Sequence, residues 1–130
     1  MTLLLDTHVF LWYIGADPQL PAAFRDAIRD TGNDVFLSVA SVWEAVVKYA
    51  LGKLPLPEPP AAYLMRQREA HSIASLPIEE AALVFLAGLP PLHRDPFDRI
   101  LIAQALQRGL TLVTVDSAVR AYPVPQLLMA

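Results

Sequence analysis

The chain has no cysteine, so it can build neither a disulfide framework nor a thiolate metal site. No charge-free run approaches the roughly twenty apolar residues that a membrane-spanning helix needs. The opening MTLLLD has no basic stretch ahead of its apolar run and meets an acid at once, so it reads as a strand rather than a signal peptide. Basic charge is short as well. The formal net charge is −3, whereas a nucleic-acid binder usually carries a positive balance. A polyanionic partner would have to be met by local basic residues or by bound cations. Glycine is scarce, five in 130 residues, and none falls in a GxGxxG, GxxxxGK[ST] or GxSxG pattern. That removes the nucleotide-cradling loops and the nucleophile elbow. These absences fit a cytoplasmic protein with no membrane partner.

What remains is an apolar-leaning globular profile, 55% hydrophobic and 18% charged. The length is that of one domain, expected to span residues 1–130, with enough chain for a well-buried core. The one break in composition is LPLPEPP, Leu54 to Pro60, with four prolines in seven residues. It cannot be helix interior or central strand and reads as a stiff surface connector.

Around it, strands and helices alternate. Strands are expected at Thr2–Leu5, Val35–Ser38 and Leu110–Val115, with weaker ones at Ser72–Ser75 and Gln126–Met129. Helices are expected at Thr7–Ile14, Pro21–Arg29, Ser41–Leu51, Ala61–Ala70, Ile78–Ala87 and Pro96–Arg108, with a helical turn at Ser117–Tyr122. The strands LLLL and LTLVTV are apolar on both faces, the mark of a parallel sheet covered by helices on both sides. The fold class is therefore α/β, with a central, mostly parallel sheet.

In such sheets ligand sites form beyond the carboxyl ends of the strands. Asp6 ends LLLL and Asp116 ends LTLVTV. Each taken alone reads equally as a helix N-cap. Glu44 lies within SVWEAVVKYA, where Ser41 and Glu44 match a capping box and Lys48 follows at i+4. Yet Glu44 is flanked by Val42, Trp43, Ala45, Val46 and Val47, and an ionised carboxylate there needs a cationic partner, whether Lys48 or a metal. In HRDPFDR, Asp95 before Pro96 reads as N-cap and first helical position, leaving Asp98 in the first turn with a free carboxylate between Arg94 and Arg99.

Four acids, Asp6, Glu44, Asp98 and Asp116, thus fall at strand ends or first turns, which a doubly wound sheet brings to one edge. Four carboxylates packed together resist ionising unless a hard divalent cation sits between them. Mg²⁺ or Mn²⁺, which prefer oxygen ligands, would meet that need and a phosphodiester as well. Thr7, Thr114 and Ser117 lie beside Asp6 and Asp116 and would either orient a carboxylate or cap a helix. His8, His71 and His93 show no zinc spacing and read as surface or core histidines. Phe10, Leu11, Trp12 and Tyr13 exceed one helix face and read as core, part of which would form a partner groove.

The segments LLLDTHVFLW, SVWEAVVKYALGKL, LPPLHRDPFDRILIAQA and LTLVTVDSAVRAYPV, in this order, resemble the PIN-domain family, and within it the VapC-type toxins of prokaryotic toxin–antitoxin modules that carry HRDPFDR. The resemblance covers nearly the whole chain. It implies a three-layer α/β/α fold and an Mg²⁺- or Mn²⁺-dependent ribonuclease. It matches the family's acids to Asp6, Glu44, Asp98 and Asp116. Asp6 and Asp98 would be the main metal ligands, with Asp116 completing the cluster. Glu44 would hold or deprotonate the attacking water, and Thr114 or Ser117 would be the small hydroxyl residue. It further implies an RNA substrate met by Lys48, Arg94 or Arg99, a homodimer, and inhibition by a VapB-like antitoxin. A PIN-like module that grips RNA or a partner without cutting is the alternative. A phospho-receiver domain fits poorly, because Asp6 is followed by Thr7 and His8 rather than by a second acid.

Overall fold

Three leucines, Leu3, Leu4 and Leu5, are fully buried at the middle of the molecule, which explains why the first strand is apolar on both faces beyond its exposed first residue, Thr2. The computed structural model describes residues 1–127. In chain order they form β1 (Thr2–Leu5), α1 (Thr7–Ile14), α2 (Ala22–Arg29), β2 (Asp34–Ser38), α3 (Val39–Ala50), α4 (Pro60–Ala70), β3 (Ala74–Leu76), α5 (Glu80–Ala87), α6 (Pro96–Arg108), β4 (Thr111–Val113) and α7 (Ser117–Arg120).

The four strands pair in the order β3-β2-β1-β4, and every pair is parallel. Side chains alternate between two cores, as strand geometry requires. Leu4, Phe36 and Leu112 pack with Ile102, Leu101 and Val119 on one face. Leu3, Leu5, Val35, Leu37 and Val113 pack with Val9, Phe10, Phe24, Ile28 and Leu64 on the other. Helices therefore cover both faces, giving three layers, α/β/α. No helix among the described residues is long and apolar enough to cross a membrane.

The strand order creates the site. From β1 the chain builds outward through β2 to β3, then returns through α6 to place β4 on the other side of β1. The reversal leaves a crevice between the carboxyl ends of β1 and β4, where such folds bind ligands. The backbone N–H of Asp6 still donates to the Val113 carbonyl at 2.9 Å, so the two chain ends are tied where they leave the sheet.

Several boundaries differ from the sequence reading. Helix α3 starts at Val39, because Ser38 rather than Ser41 is its cap and accepts from the Ala40 N–H. Ser41 lies inside the helix, and its buried Oγ has no hydrogen-bond partner. The capping box of Ser41 and Glu44 is thus not formed. Strand β3 starts at Ala74 rather than Ser72, since Ser72 takes a left-handed φ of 56° as the chain turns out of α4. Helix α5 starts at Glu80 rather than Ile78. β4 is shorter than expected, for Thr114 leaves the sheet and turns its hydroxyl to Asp6 and to the Asp116 N–H. Gln126 makes a single parallel bridge to Leu112, the Leu127 N–H donates to the Leu112 carbonyl at 3.0 Å, and Leu128 and Met129 of the expected strand lie outside the described residues.

Phe10 is buried while Leu11, Trp12 and Tyr13 are half-buried against the second core. The proline-rich connector lies against this helix, with Leu54, Pro55, Leu56 and Pro57 facing Leu11, Trp12 and Tyr63 across a groove. Leu54 and Leu56 are half-buried while Pro55, Pro57 and Pro59 are exposed, as in a stiff surface connector.

Candidate active site and metal centre

An open cleft of about 370 Å³ lies at the β1/β4 crevice, and Asp6, Glu44, Asp95, Asp98 and Asp116 all line it, with His8, Trp12, Lys48 and His93. Asp6, Glu44 and Asp98 are no more than 7% exposed. Burial of three carboxylates in one place is costly unless each is satisfied, and the structure shows how each is held.

Asp6 ends β1 and caps α1. Its Oδ1 accepts from the Thr7 N–H at 2.7 Å, and its Oδ2 accepts from the Thr114 hydroxyl at 2.7 Å. Glu44 projects from the middle of α3, accepting from the Thr7 hydroxyl at 2.6 Å on Oε1 and from the Lys48 ammonium on Oε2. Thr7 therefore serves two acids at once, its N–H on Asp6 and its hydroxyl on Glu44. Asp116 caps α7 through Oδ1, which accepts from the Ala118 N–H at 2.9 Å. Thr114 accepts the Asp116 N–H at 3.1 Å and so links both strand ends.

Helix α6 brings the fourth acid. Asp95 is its cap, Oδ1 accepting from the Phe97 and Asp98 N–H groups at 2.8 and 3.2 Å. One carboxylate oxygen of Asp95 is thereby committed to the helix end. Asp98 turns inward to the cleft, where its Oδ2 lies 2.8 Å from His93 Nε2. The opposite end of α6 is closed by Gly109 at a left-handed φ of 66°, which a side chain would strain.

The electrostatics follow from the packing. Burial, and then the charge of Asp6, push the Asp98 carboxyl up to about 7. Burial likewise raises Asp6 above the usual range, against the hydrogen bonds from Thr114 and Thr7. Burial works to lower the Lys48 ammonium, but the hydrogen bond and charge of Glu44 outweigh it and raise the group, keeping it cationic. Without a further cation the cleft resists full ionisation. The donors lining it are carboxylate oxygens and the imidazoles of His8 and His93, and ligand atoms of His93, Asp98 and Asp116 lie within 4.8 Å of one another. That donor set fits a hard or borderline divalent ion such as Mg²⁺ or Mn²⁺.

The structure brings Asp6, Glu44, Asp98 and Asp116 to one cleft. It places Thr7 and Thr114 on their carboxylates and leaves Ser117 exposed. Two expected RNA contacts already have partners, Lys48 within the cleft and Arg99 away from it. Lys48 pairs with Glu44, while Arg99 donates to the Pro90 carbonyl at 3.0 Å and to the Tyr122 hydroxyl at 2.8 Å. Arg99 points back into its own fold because the loop before α6 folds over the first turn. Arg94 is exposed. His93 corrects the sequence reading: it is neither core nor idle surface but lies against Asp98. Its only sequence signal is its position two residues before a helix cap, where a returning loop can fold its ring over the first turn.

A family model for the PIN domain matches residues 3–124. Over 126 residues the chain is 28% identical to Ribonuclease VapC22 of Mycobacterium tuberculosis, covering 96% of this chain and 95% of that protein. A shorter stretch of 57 residues is 39% identical to Ribonuclease VapC16 of the same organism, 44% of this chain and 40% of that protein. The solved VapBC2 of Rickettsia felis, bound to a DNA fragment from its promoter, shares the fold with a TM-score of 0.72 at 15% identity, over 98% of each chain. DNA-bound VapBC from Salmonella typhimurium gives a TM-score of 0.71 at 18% identity, over 100% of this chain and 99% of that one.

Proposed function

The chain belongs to the PIN-domain family, and from that premise we propose that it is a divalent-metal-dependent endoribonuclease, the toxin of a toxin–antitoxin module. The observation that carries this reading is the convergence of Asp6, Glu44, Asp98 and Asp116 on one cleft at the strand-order reversal. The near-full-length likeness to a protein named Ribonuclease VapC22 supports it.

In this reading Asp6, Asp98 and Asp116 hold Mg²⁺ or Mn²⁺, and Glu44 stands beside them. The bound cation would stabilise charge developing on a phosphodiester during an in-line displacement. The chain's own residues do the rest. Thr114 and the Thr7 N–H fix both oxygens of Asp6, so its orientation is set before any ligand arrives. Thr7 and Lys48 fix both oxygens of Glu44, which holds the attacking water and receives its proton. His8 and Trp12 line the cleft, and Arg94 is exposed between the cleft-lining His93 and Asp95, so a single RNA strand entering the cleft would meet them.

The partner proposal is a VapB-like antitoxin, as in the VapBC complexes that share the fold, and a homodimer of this chain is proposed beside it. The test is RNA cleavage by the purified chain, free of antitoxin, with Mn²⁺, with Mg²⁺ and with excess EDTA. Cleavage with either metal that stops in EDTA, and that falls at least about 100-fold in Asp6→Asn and Glu44→Gln, is the expected result. RNA binding without cleavage under every condition would instead make the chain a binding module.

A further inference from the structure

Around Asp98 the hydrogen bonds close a ring that the four acids do not require. Arg99, the next residue, donates from Nη1 to the Tyr122 hydroxyl at 2.8 Å. The same hydroxyl accepts the backbone N–H of His93 at 2.9 Å. His93 Nε2 lies 2.8 Å from Asp98 Oδ2, which returns the path to the residue before Arg99. Tyr122 is buried, and Arg99 also donates to the Pro90 carbonyl at 3.0 Å, pinning the start of the same loop. Pro90 and Pro91 stiffen that loop. The loop before α6 and its first turn are thus fastened to the segment after α7 at one phenol oxygen.

Once a cation holds Asp98 in its ionised form the carboxylate only accepts, so the ring nitrogen facing it then carries the hydrogen. Oδ2 is thereby engaged. Asp98 Oδ1 makes no protein hydrogen bond among the described residues and is left for the cleft. Residues that orient a metal-binding side chain through its second heteroatom commonly alter metal affinity 10–100-fold when removed.

We propose that His93 is a positioning residue for the metal centre: held from behind by the Tyr122 hydroxyl and Arg99, it donates to Asp98 Oδ2 and thereby presents Oδ1 to the cation. This rests on the reading of Asp98 as a metal ligand. It also gives a reason for a histidine and an arginine on either side of the DPFD core, neither of which needs to touch RNA.

The test is the dissociation constant of Mn²⁺ measured by calorimetry on the full chain, beside Tm in EDTA. The variants are His93→Gln, His93→Ala and Tyr122→Phe. Gln carries an amide donor near the place of Nε2, and Ala carries none. The expected result is that His93→Gln binds Mn²⁺ within about threefold of the parent and His93→Ala at least about tenfold more weakly. Tyr122→Phe should fall between them, because His93 keeps its ring but loses its anchor. Tm in EDTA should be alike for the two His93 variants, so that the affinity split is not a folding effect. Equal affinity in parent and His93→Ala would overturn the proposal. So would equal weakening in His93→Gln and His93→Ala, which would make the imidazole a direct ligand. A parent chain that binds no Mn²⁺ would fail at the earlier step and overturn the metal-centre reading itself.

Discussion

Asp98 and Asp95 lie three residues apart in one helical turn and do different things. Asp95 accepts two N–H groups and starts α6, whereas Asp98 is buried in the cleft with its carboxyl pushed up to about 7 by burial and by Asp6. The consequence for stability has a definite sign. Between the ordinary carboxylate value of 3.8 and about 7 the folded chain holds a proton on Asp98 that the unfolded chain has released. Stability contributed by this group therefore falls as pH rises through that window. In EDTA, Tm should decline from about pH 5 to pH 7.5, and Asp98→Asn should flatten the decline and raise Tm at pH 7.5 by roughly 5 °C. Mn²⁺ should raise the parent's Tm more at pH 7.5 than at pH 5.5, since protons compete with the cation for the carboxylates. A Tm for Asp98→Asn below that of the parent at pH 7.5 in EDTA would contradict the strained-acid account. The acids themselves were legible in the sequence because each follows a strand or opens a helix. His93 was not, since nothing local shows that the loop before α6 folds back over its first turn.

At the scale of elements, α6 and β1 were readable to the residue, whereas β4 ends at Val113 rather than Val115 because Thr114 turns its hydroxyl to Asp6. Asp95 and Pro96 open α6 and Gly109 closes it, and these residue types have strong positional preferences. The start of α3 was not readable in the same way, because Ser41 with Glu44 matched a capping box while Ser38 read as the last residue of the strand. The tertiary fold decides. Ser38 also donates at 2.6 Å to Gln104, a buried residue of α6 whose amide in turn donates to the Pro77 carbonyl at 3.1 Å. Ser38→Ala should cost on the order of 1–3 kcal/mol, since it removes a cap and orphans a buried acceptor. Ser41→Ala should be neutral or slightly stabilising, because the buried Ser41 Oγ has no partner to lose. Urea unfolding of the two variants checks this, and a larger loss in Ser41→Ala would restore the capping-box assignment.

At the scale of the whole molecule, the parallel sheet was legible from strands apolar on both faces, but the order β3-β2-β1-β4 was not. Strand order depends on which helix pairs with which face, and no local pattern carries that. Yet this order is what turns four scattered acids into one cleft. It also reconciles an acidic chain of net charge −3 with a polyanionic substrate, because the cation rather than a basic surface would meet the phosphate. The exposed side chains around α3, Val39, Trp43 and Val46 with Met65 of α4, form an apolar face beside the site, with Trp43 edge-on to Phe97 at 4.8 Å. Sedimentation at several concentrations would report whether the chain self-associates as the toxin reading expects.

The central claim, that the cleft is a metal-dependent phosphodiesterase site built on Asp98 and not only a well-capped helix, is tested most directly by comparing Asp98→Asn with Asp95→Asn in Mn²⁺-dependent RNA cleavage. Asn caps a helix about as well as Asp, so Asp95→Asn should fold, and Asp98→Asn keeps the size of the side chain while removing a buried charge. The account predicts that Asp98→Asn loses cleavage by at least about 100-fold while Asp95→Asn cuts within severalfold of the parent. If the two variants cut alike, or if cleavage by the parent persists in EDTA, the four-carboxylate metal site is wrong.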